Sequence, residues 1–246
     1  MVKMNHFIFG NTNSKNYNVY ISSGAAYNAP ARVYEMVEVP GRNGSVALDG
    51  GRFENIEVTY PAFTFGKDQD EFARNVRTIR NVLQGYKGYT RLWDTYNPDE
   101  YRMAIFKEGL ETEGESYNRA GKFDLVFDAK PQRFLTSGDE SIDWTGSGTL
   151  ENPTPFEALP NLLVCGSGQL TIEGNTITVG SSQSRIVTID SELMECYEIV
   201  GSGLVPLNSV VNFSTGEFPT LQPGLNHITL GSGITQIKIV PHWWVI

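Results

Sequence analysis

The side chains able to do chemistry in this chain are few and scattered. His6, His227 and His242 lie far apart, and none has a neighbour at metal-ligand spacing. Cys165 and Cys196 form no Cys-x-x-Cys pair; two buried thiols and a single disulfide both fit their separation. No Gly-x-Ser-x-Gly elbow, His-Glu-x-x-His, P-loop or Gly-x-Gly-x-x-Gly occurs. Gly41-Arg42-Asn43-Gly44 is bracketed by glycines but lacks the Lys-Ser/Thr of a phosphate cradle, so it reads as a turn. Glu108, Glu111, Glu113 and Glu115 form an acidic cluster in KEGLETEGESYNRAG. Carboxylates so spaced would suit a calcium ion or an acid/base pair. The plain reading is the solvated loop of a long hairpin. A third reading puts the loop in the pore of an oligomer, where negative charge would let a polyanion slide without sticking. Trp144, Trp243 and Trp244 invite stacking on a sugar, whereas most tryptophans pack in cores or interfaces. On a strand Trp243 and Trp244 face opposite sides, so at most one can be core. No catalytic constellation emerges, and the expectation is a non-enzyme without metal or cofactor.

The elements that would position these residues follow from composition. The chain has 246 residues, enough for two domains, with 40% hydrophobic, 11% aromatic and 19% charged residues. That excludes a disordered chain, a collagen and a coiled coil. The net charge of −9 argues against nucleic acid as a primary partner. No run reaches the roughly 18 apolar residues of a membrane helix, and MVKMNHFIFGNTNSKNY does not read as a signal peptide. Membrane insertion is not expected, and folding in the cytosol of the producing cell is. Charge is uneven: residues 1–133 carry 17 basic and 17 acidic side chains, residues 134–246 carry 2 and 11. Such a step marks a boundary, with a first domain over 1–134 and a second over 135–246. The Ser, Thr, Gly and Pro of 135–155 suit a connector, part of which can pair as a strand near Ile142–Trp144.

In the first domain Phe72, Val76, Ile79 and Leu83 recur at helical spacing. Asp68 with Glu71 offers a capping box, and Gly85 closes the helix. Arg74, Arg77 and Asn81 fall on the opposite face. Extended segments are predicted near 5–9, 33–39, 54–65, 89–94, 102–107 and 121–128. Segment 33–39 is apolar on both faces through Val33, Tyr34, Met36, Val37 and Val39. That pattern suits a strand covered on both sides, as by a neighbouring subunit, and makes these residues a candidate ring interface. The aromatic-rich run of Tyr86, Tyr89, Trp93, Tyr96 and Tyr101 suits core packing or an interface. The second domain shows short apolar runs between glycine turns, as in a β-sandwich. Glu173-Gly174-Asn175 reads as a hairpin loop, and the three Gly-Ser-Gly triplets at 166–168, 201–203 and 231–233 read as turns rather than repeat units.

Four stretches carry a family resemblance. VPGRNGSVALDGGRFENIEVTY (39–60) is similar to a stretch near the N-terminus of the distal tail proteins of long, non-contractile-tailed bacteriophages. RTIRNVLQGYKGYTRLWDTYNPDEYRMAIF (77–106) resembles that family's helix and following strands, with Leu-Trp-Asp, then Asn-Pro, then Tyr-Arg. ENPTPFEALPNLLVCGSGQLTIEGNTITV (151–179) and FPTLQPGLNHITLGSGITQIKIVPHWW (218–244) resemble its second domain in order and spacing. Pro241-His242-Trp243 departs from a pattern of Pro, a basic residue and Trp. The resemblance implies a mainly β fold with one helix: an N-terminal split β-barrel like a tail-tube subunit, and a C-terminal sandwich like a galectin or carbohydrate-binding module. It implies a structural virion protein, assembled in the host cytoplasm, that forms a hexameric ring at the tail tip. Its expected partners are further copies of the chain, the tail tube protein, and a tail-associated lysin or tail fibre protein. A receptor-binding protein on the outward-projecting second domain is a further expected partner. A glycan-binding adhesin acting through the sandwich is the alternative.

Overall fold

A computed structural model describes residues 4–24, 28–107, 109, 113–115, 119–182 and 186–246, the side chains of 113–115 excepted. The chain forms two units that divide between Arg133 and Phe134. The strands of the first are β1 (Phe7–Phe9), β2 (Thr12–Asn13), β3 (Val19–Ile21), β4 (Arg32–Glu38), β5 (Ser45–Phe53), β6 (Ile56–Phe65), β7 (Thr90–Asp94), β8 (Glu100–Phe106), β9 (Glu113–Glu115) and β10 (Ala120–Ala129), with one helix, α1 (Gln69–Gly85), after β6. The short β11 (Arg133–Leu135) crosses the division.

The first unit is built on a sheet of order β2-β1-β7-β8-β10-β6-β3. Its backbone is the antiparallel pair β6 and β10, in register from Ala120 opposite Phe65 to Ala129 opposite Ile56. Both strands alternate: Ile56, Val58, Tyr60 and Ala62 of β6 and Phe123, Leu125, Phe127 and Ala129 of β10 turn inward. The helix lays Val76, Ile79 and Leu83 on the same core, while Arg74, Arg77 and Asn81 stay exposed. Its first turn is held by Asp68 as the sequence implies, while Glu71 reaches one residue past the cap, to Lys67. The Asp68 carboxylate accepts from Glu71 N at 2.8 Å, and the Glu71 carboxylate accepts from Lys67 N at 2.9 Å. The helix ends at Gly85 as expected, but Tyr86 continues in extended backbone, so no left-handed cap forms there. Strands β4 and β5 stand apart as a two-stranded sheet of their own.

The second unit comprises β12 (Ile142–Trp144), β13 (Gly148–Asn152), β14 (Asn161–Gly166), β15 (Gly168–Ile172), β16 (Asn175–Val179), β17 (Ile186–Asp190), β18 (Glu195–Val200), β19 (Gly203–Pro206), β20 (Val211–Phe213), β21 (Gly224–Leu230), β22 (Ile234–Val240) and β23 (Trp244–Val245). Two antiparallel sheets, β12-β22-β14-β17-β18-β19 and β13-β21-β15-β16-β20, enclose one core. Leu162, Val187, Ile189, Ile237 and Ile239 come from one sheet, and Leu170, Ile172, Ile177 and Ile228 from the other. Residues 135–155 are therefore no linker: β12 and β13 arise within them, each an edge of one sheet. The β15–β16 turn is the expected one, with Glu173 and Gly174 both at positive φ as a two-residue type I′ hairpin requires.

The Gly-Ser-Gly triplets at 201–203 and 231–233 contain turns, whereas in 166–168 Gly166 ends β14, Ser167 bends and Gly168 begins β15; this triplet and the one at 231–233 also meet. A Cβ on Gly166 would lie 2.2 Å from Gly233 O, and one on Gly233 would lie 2.1 Å from Ser167 O. Both glycines also have positive φ. Backbone packs on backbone there, and only glycine fits.

Candidate functional site

The β4–β5 hairpin holds the residues singled out for a ring contact. Met36 pairs with Ala47, Val37 with Val46 and Glu38 with Ser45, with a register shift between Arg32 and Tyr34. Side chains alternate along the ribbon, so Tyr34 and Met36 share one face and Val37 lies on the other. Val33 sits at the register shift beside Gly50, and Val39 lies just past the strand, its carbonyl accepting from Arg42 N at 3.1 Å. Tyr34 and Met36 are 53% and 60% exposed. The structure also exposes Leu48 on β5, which the sequence reading passed over because Gly50, Gly51 and Asp49 mask the strand's alternation. At its base the hairpin is pinned by a bidentate ion pair between Arg32 and Asp49, with Arg32 Nε 3.0 Å from each carboxylate oxygen. Asp49 Oδ1 also accepts from Gly51 N at 2.9 Å. The hydrogen bond from Arg32 comes first and that from Gly51 next in holding the Asp49 carboxyl below its ordinary value. An isolated two-stranded ribbon is marginal in water, and this one exposes Tyr34 and Met36 on one face and Val37 and Leu48 on the other, beside Glu35, Glu38 and Asp49.

The sequence motif after the helix forms a second constellation. Leu92-Trp93-Asp94 lies on β7, Asn97-Pro98 in the turn and Tyr101-Arg102 on β8, with Leu92 opposite Arg102 and Trp93 opposite Tyr101. Trp93 Nε1 donates to Pro98 O at 2.9 Å. Asp94 Oδ1 accepts from the backbone of Tyr96 at 2.8 Å and Asn97 at 3.0 Å, and its Oδ2 accepts from Tyr60 Oη at 2.7 Å. Arg102 is buried and donates to Pro131 O at 3.3 Å, and Arg133 donates to Glu100 at 3.2 Å. Burial, then the neighbouring Arg133, brings Arg102 down to about 10. Burial first, then Asp94, pushes the Tyr60 phenol well up. The cavity among these groups is about 30 Å³, room for a few waters. The cluster locks a hairpin.

The other candidates are not assembled into a site. Glu108 and Glu111 lie outside the described residues; Glu113 and Glu115 fall on β9, which pairs with β10, so part of the expected loop is strand. Their side chains are likewise outside the described residues. Trp243 is 5% exposed and belongs to the second core, so its ring is not offered to a ligand. Trp144 packs half-buried against that core. Trp244 stacks on Phe156 with centroids 4.3 Å apart and donates to Glu157 O at 2.8 Å. His242, where a basic residue was expected, sits at φ 55° with Nδ1 3.2 Å from Leu159 O. Both cysteines are free. Among the described residues no group of three His, Cys, Asp or Glu could hold a metal, and no helix is long and apolar enough to cross a membrane.

Comparison with solved structures decides what this architecture is. The chain is similar to the SPP1 Dit protein, described as a paradigm of hub adsorption apparatus in Gram-positive infecting phages. The TM-score is 0.68 over 96% of this chain and 98% of that one, at 11% identity. The chain has the fold of that Dit protein. It also resembles a chain of the phage P2 baseplate in its activated conformation with Ca, at TM-score 0.55 and 12% identity over 97% and 98% of the two chains. The same baseplate with Sr gives a TM-score of 0.54, again at 12% identity. No protein-family profile and no curated protein matches the chain in sequence. The Dit-like fold extends through both units, so the mainly β architecture with a single long helix is shared from end to end.

Proposed function

We propose that this chain is a structural virion protein that forms a hexameric ring at the distal end of a non-contractile phage tail. The ring joins the tail tube protein to a tail-associated lysin or tail fibre protein. The observation that carries the reading is a hub-protein fold shared over nearly the whole chain, with a hairpin in the first unit left apolar and exposed on both faces. A ring closes by heterologous contacts, in which one patch meets a different patch on the next copy. The β4–β5 hairpin supplies one such patch through Tyr34, Met36 and Val37. The balanced charge of residues 1–133 lets ring stack on ring without repulsion. On this reading the acidic segment at Glu108, Glu111, Glu113 and Glu115 lines the pore. The second unit projects outward, where its net charge of −9 keeps the rim soluble and where a receptor-binding protein is held. The glycan-binding alternative draws on three indoles, one of them in the core and another stacked on Phe156, and is not advanced.

Light scattering across a concentration series, with negative-stain images of the same sample, tests the ring. Six copies of 27.3 kDa give about 164 kDa with a central hole. A strict monomer that also fails to join rings when purified tail tubes are supplied would overturn the reading.

A further inference from the structure

The six-stranded sheet of the second unit has an outer face with an uncharged centre. Cys165 stands opposite Ile186, and Ile199 opposite Leu204. Thr188 stands opposite Tyr197, which places Ile186 and Ile199 in one row by the two-residue period of the ladder. Four strands thus present Cys165, Ile186, Ile199 and Leu204 side by side, and the adjoining row adds Tyr197 opposite Pro206. Ile199 and Leu204 are 60% and 67% exposed. One row further on stand Asp190 and Glu195, opposite each other. On that side the platform is bordered by these carboxylates; across β14, Lys238 stands opposite Leu163 and is paired with Asp143 at 3.6 Å. Between Arg185 and Lys238 the chain has no lysine or arginine.

The free edge of β19 is a poorer site than the face. Leu207 N donates to Cys196 O at 2.7 Å, so by alternation Leu204 and Pro206 aim their main chain outward. Pro206 has no N–H to give, which blocks extended pairing along the edge.

We infer that this face seats a protein partner whose apolar patch is rimmed by lysine and arginine. The same unit of a second copy does not fit, because residues 134–246 carry 11 acidic and 2 basic side chains and two such surfaces repel. Size points the same way. Four strands about 4.8 Å apart and two rows about 7 Å apart cover a few hundred Å² at most, below the ~800 Å² per partner of a stable pair. The multiplicity alone rests on the hub reading: six copies in a ring would present six platforms, so a weak contact suffices for a multivalent partner.

The full chain is titrated, by fluorescence anisotropy at about 150 mM salt, with a labelled helical peptide of leucine and lysine having one apolar face. A peptide with glutamate in place of lysine is the control. The lysine peptide is expected to bind and the glutamate peptide not to. The I199D/L204D double variant should weaken binding at least about tenfold, although it makes the protein more acidic. I199T/L204T, with no added charge, should weaken it in the same direction. D190N/E195Q should weaken it and flatten its salt dependence. Equal or tighter binding by I199D/L204D would show attraction by bulk charge alone and overturn the proposal. So would equal binding of the glutamate peptide, or wild-type self-association that L204D abolishes. Ring mass is read separately on the wild type, so loss of the hub reading and loss of this surface are distinguishable.

Discussion

Replacing Tyr34 and Met36 together with serine removes the apolar side chains that one face of the β4–β5 hairpin leaves in solvent. Fully burying a large apolar side chain is worth about 1.5–3 kcal/mol relative to leaving it exposed. Tyr34 and Met36 are already about half covered, at 53% and 60% exposure. Docking in a ring would therefore gain each of them about 1 kcal/mol, or about 2 kcal/mol per contact. That is about 30-fold in the equilibrium constant of each contact. A closed ring of six has six such contacts for six protomers, so its assembly midpoint should rise about sixtyfold in concentration. The monomer should be unaffected, because substitutions at exposed positions usually stay within about 0.5 kcal/mol. Light scattering of wild type and Y34S/M36S over the same concentrations reads the midpoint, and thermal unfolding reads the monomer. A midpoint shift below about threefold with an unchanged melting curve would refute the assignment of this hairpin to the ring contact.

Three further outcomes follow from the packing within each unit. Gly233→Ala should cost roughly 2–4 kcal/mol in denaturant unfolding, since the new Cβ lies 2.1 Å from Ser167 O at φ 92°. Gly174→Ala, at φ 80° with open space around it, should cost only about 1 kcal/mol, and equal losses at both sites would show that the triplet contact is not the cause. Asp68→Ala should lower stability by about 1 kcal/mol and leave the core packing unchanged, as judged by thermal melting and near-UV circular dichroism; no loss would mean that the cap adds nothing. Cys196, 1% exposed and pushed up by burial to about 11, should resist alkylation in the native protein at pH 8 while half-buried Cys165 reacts. The unfolded thiol ionises first, so stability contributed by protonated Cys196 is full below about pH 8.5 and declines as pH rises toward 11. Equal modification rates for the two thiols would contradict this.

What was readable in the sequence is what local patterning alone determines. The helix shows itself because Phe72, Val76, Ile79 and Leu83 fall on one stripe behind a capping aspartate, and neither signal needs a distant residue. Strand β6 shows itself by alternation, and its partner β10 by the same rule. Strand β5 does not, because SVALDGGRF carries two glycines and an aspartate where a buried strand would alternate. Its extended form comes from pairing with β4 and from the Arg32–Asp49 clamp. The Leu-Trp-Asp, Asn-Pro and Tyr-Arg residues were legible as a pattern but not as a cause. The cause is a buried carboxylate at Asp94 bonded to Tyr60, a residue far upstream. The contact between the glycine triplets near 166 and 233 had no local signal at all, since each is a plausible turn alone.

The two exposed apolar surfaces differ in a way that sorts their partners. Both arise because a strand keeps apolar residues that no element of its own unit covers: Tyr34 and Met36 on β4, Ile199 and Leu204 on β18 and β19. Burial energy alone does not distinguish what would cover them, because it is non-directional. Charge does. The hairpin belongs to a segment with 17 basic and 17 acidic residues, so two copies can approach without a long-range penalty. The sheet face belongs to a segment with 2 and 11, so each copy repels its like and attracts a basic surface. On the proposed reading, the step in charge along the chain would sort the partners, a further copy of the chain at the first surface and a basic protein at the second. Screening at high salt should erode the second preference and leave the first nearly intact, because the first rests on area and the second on charge.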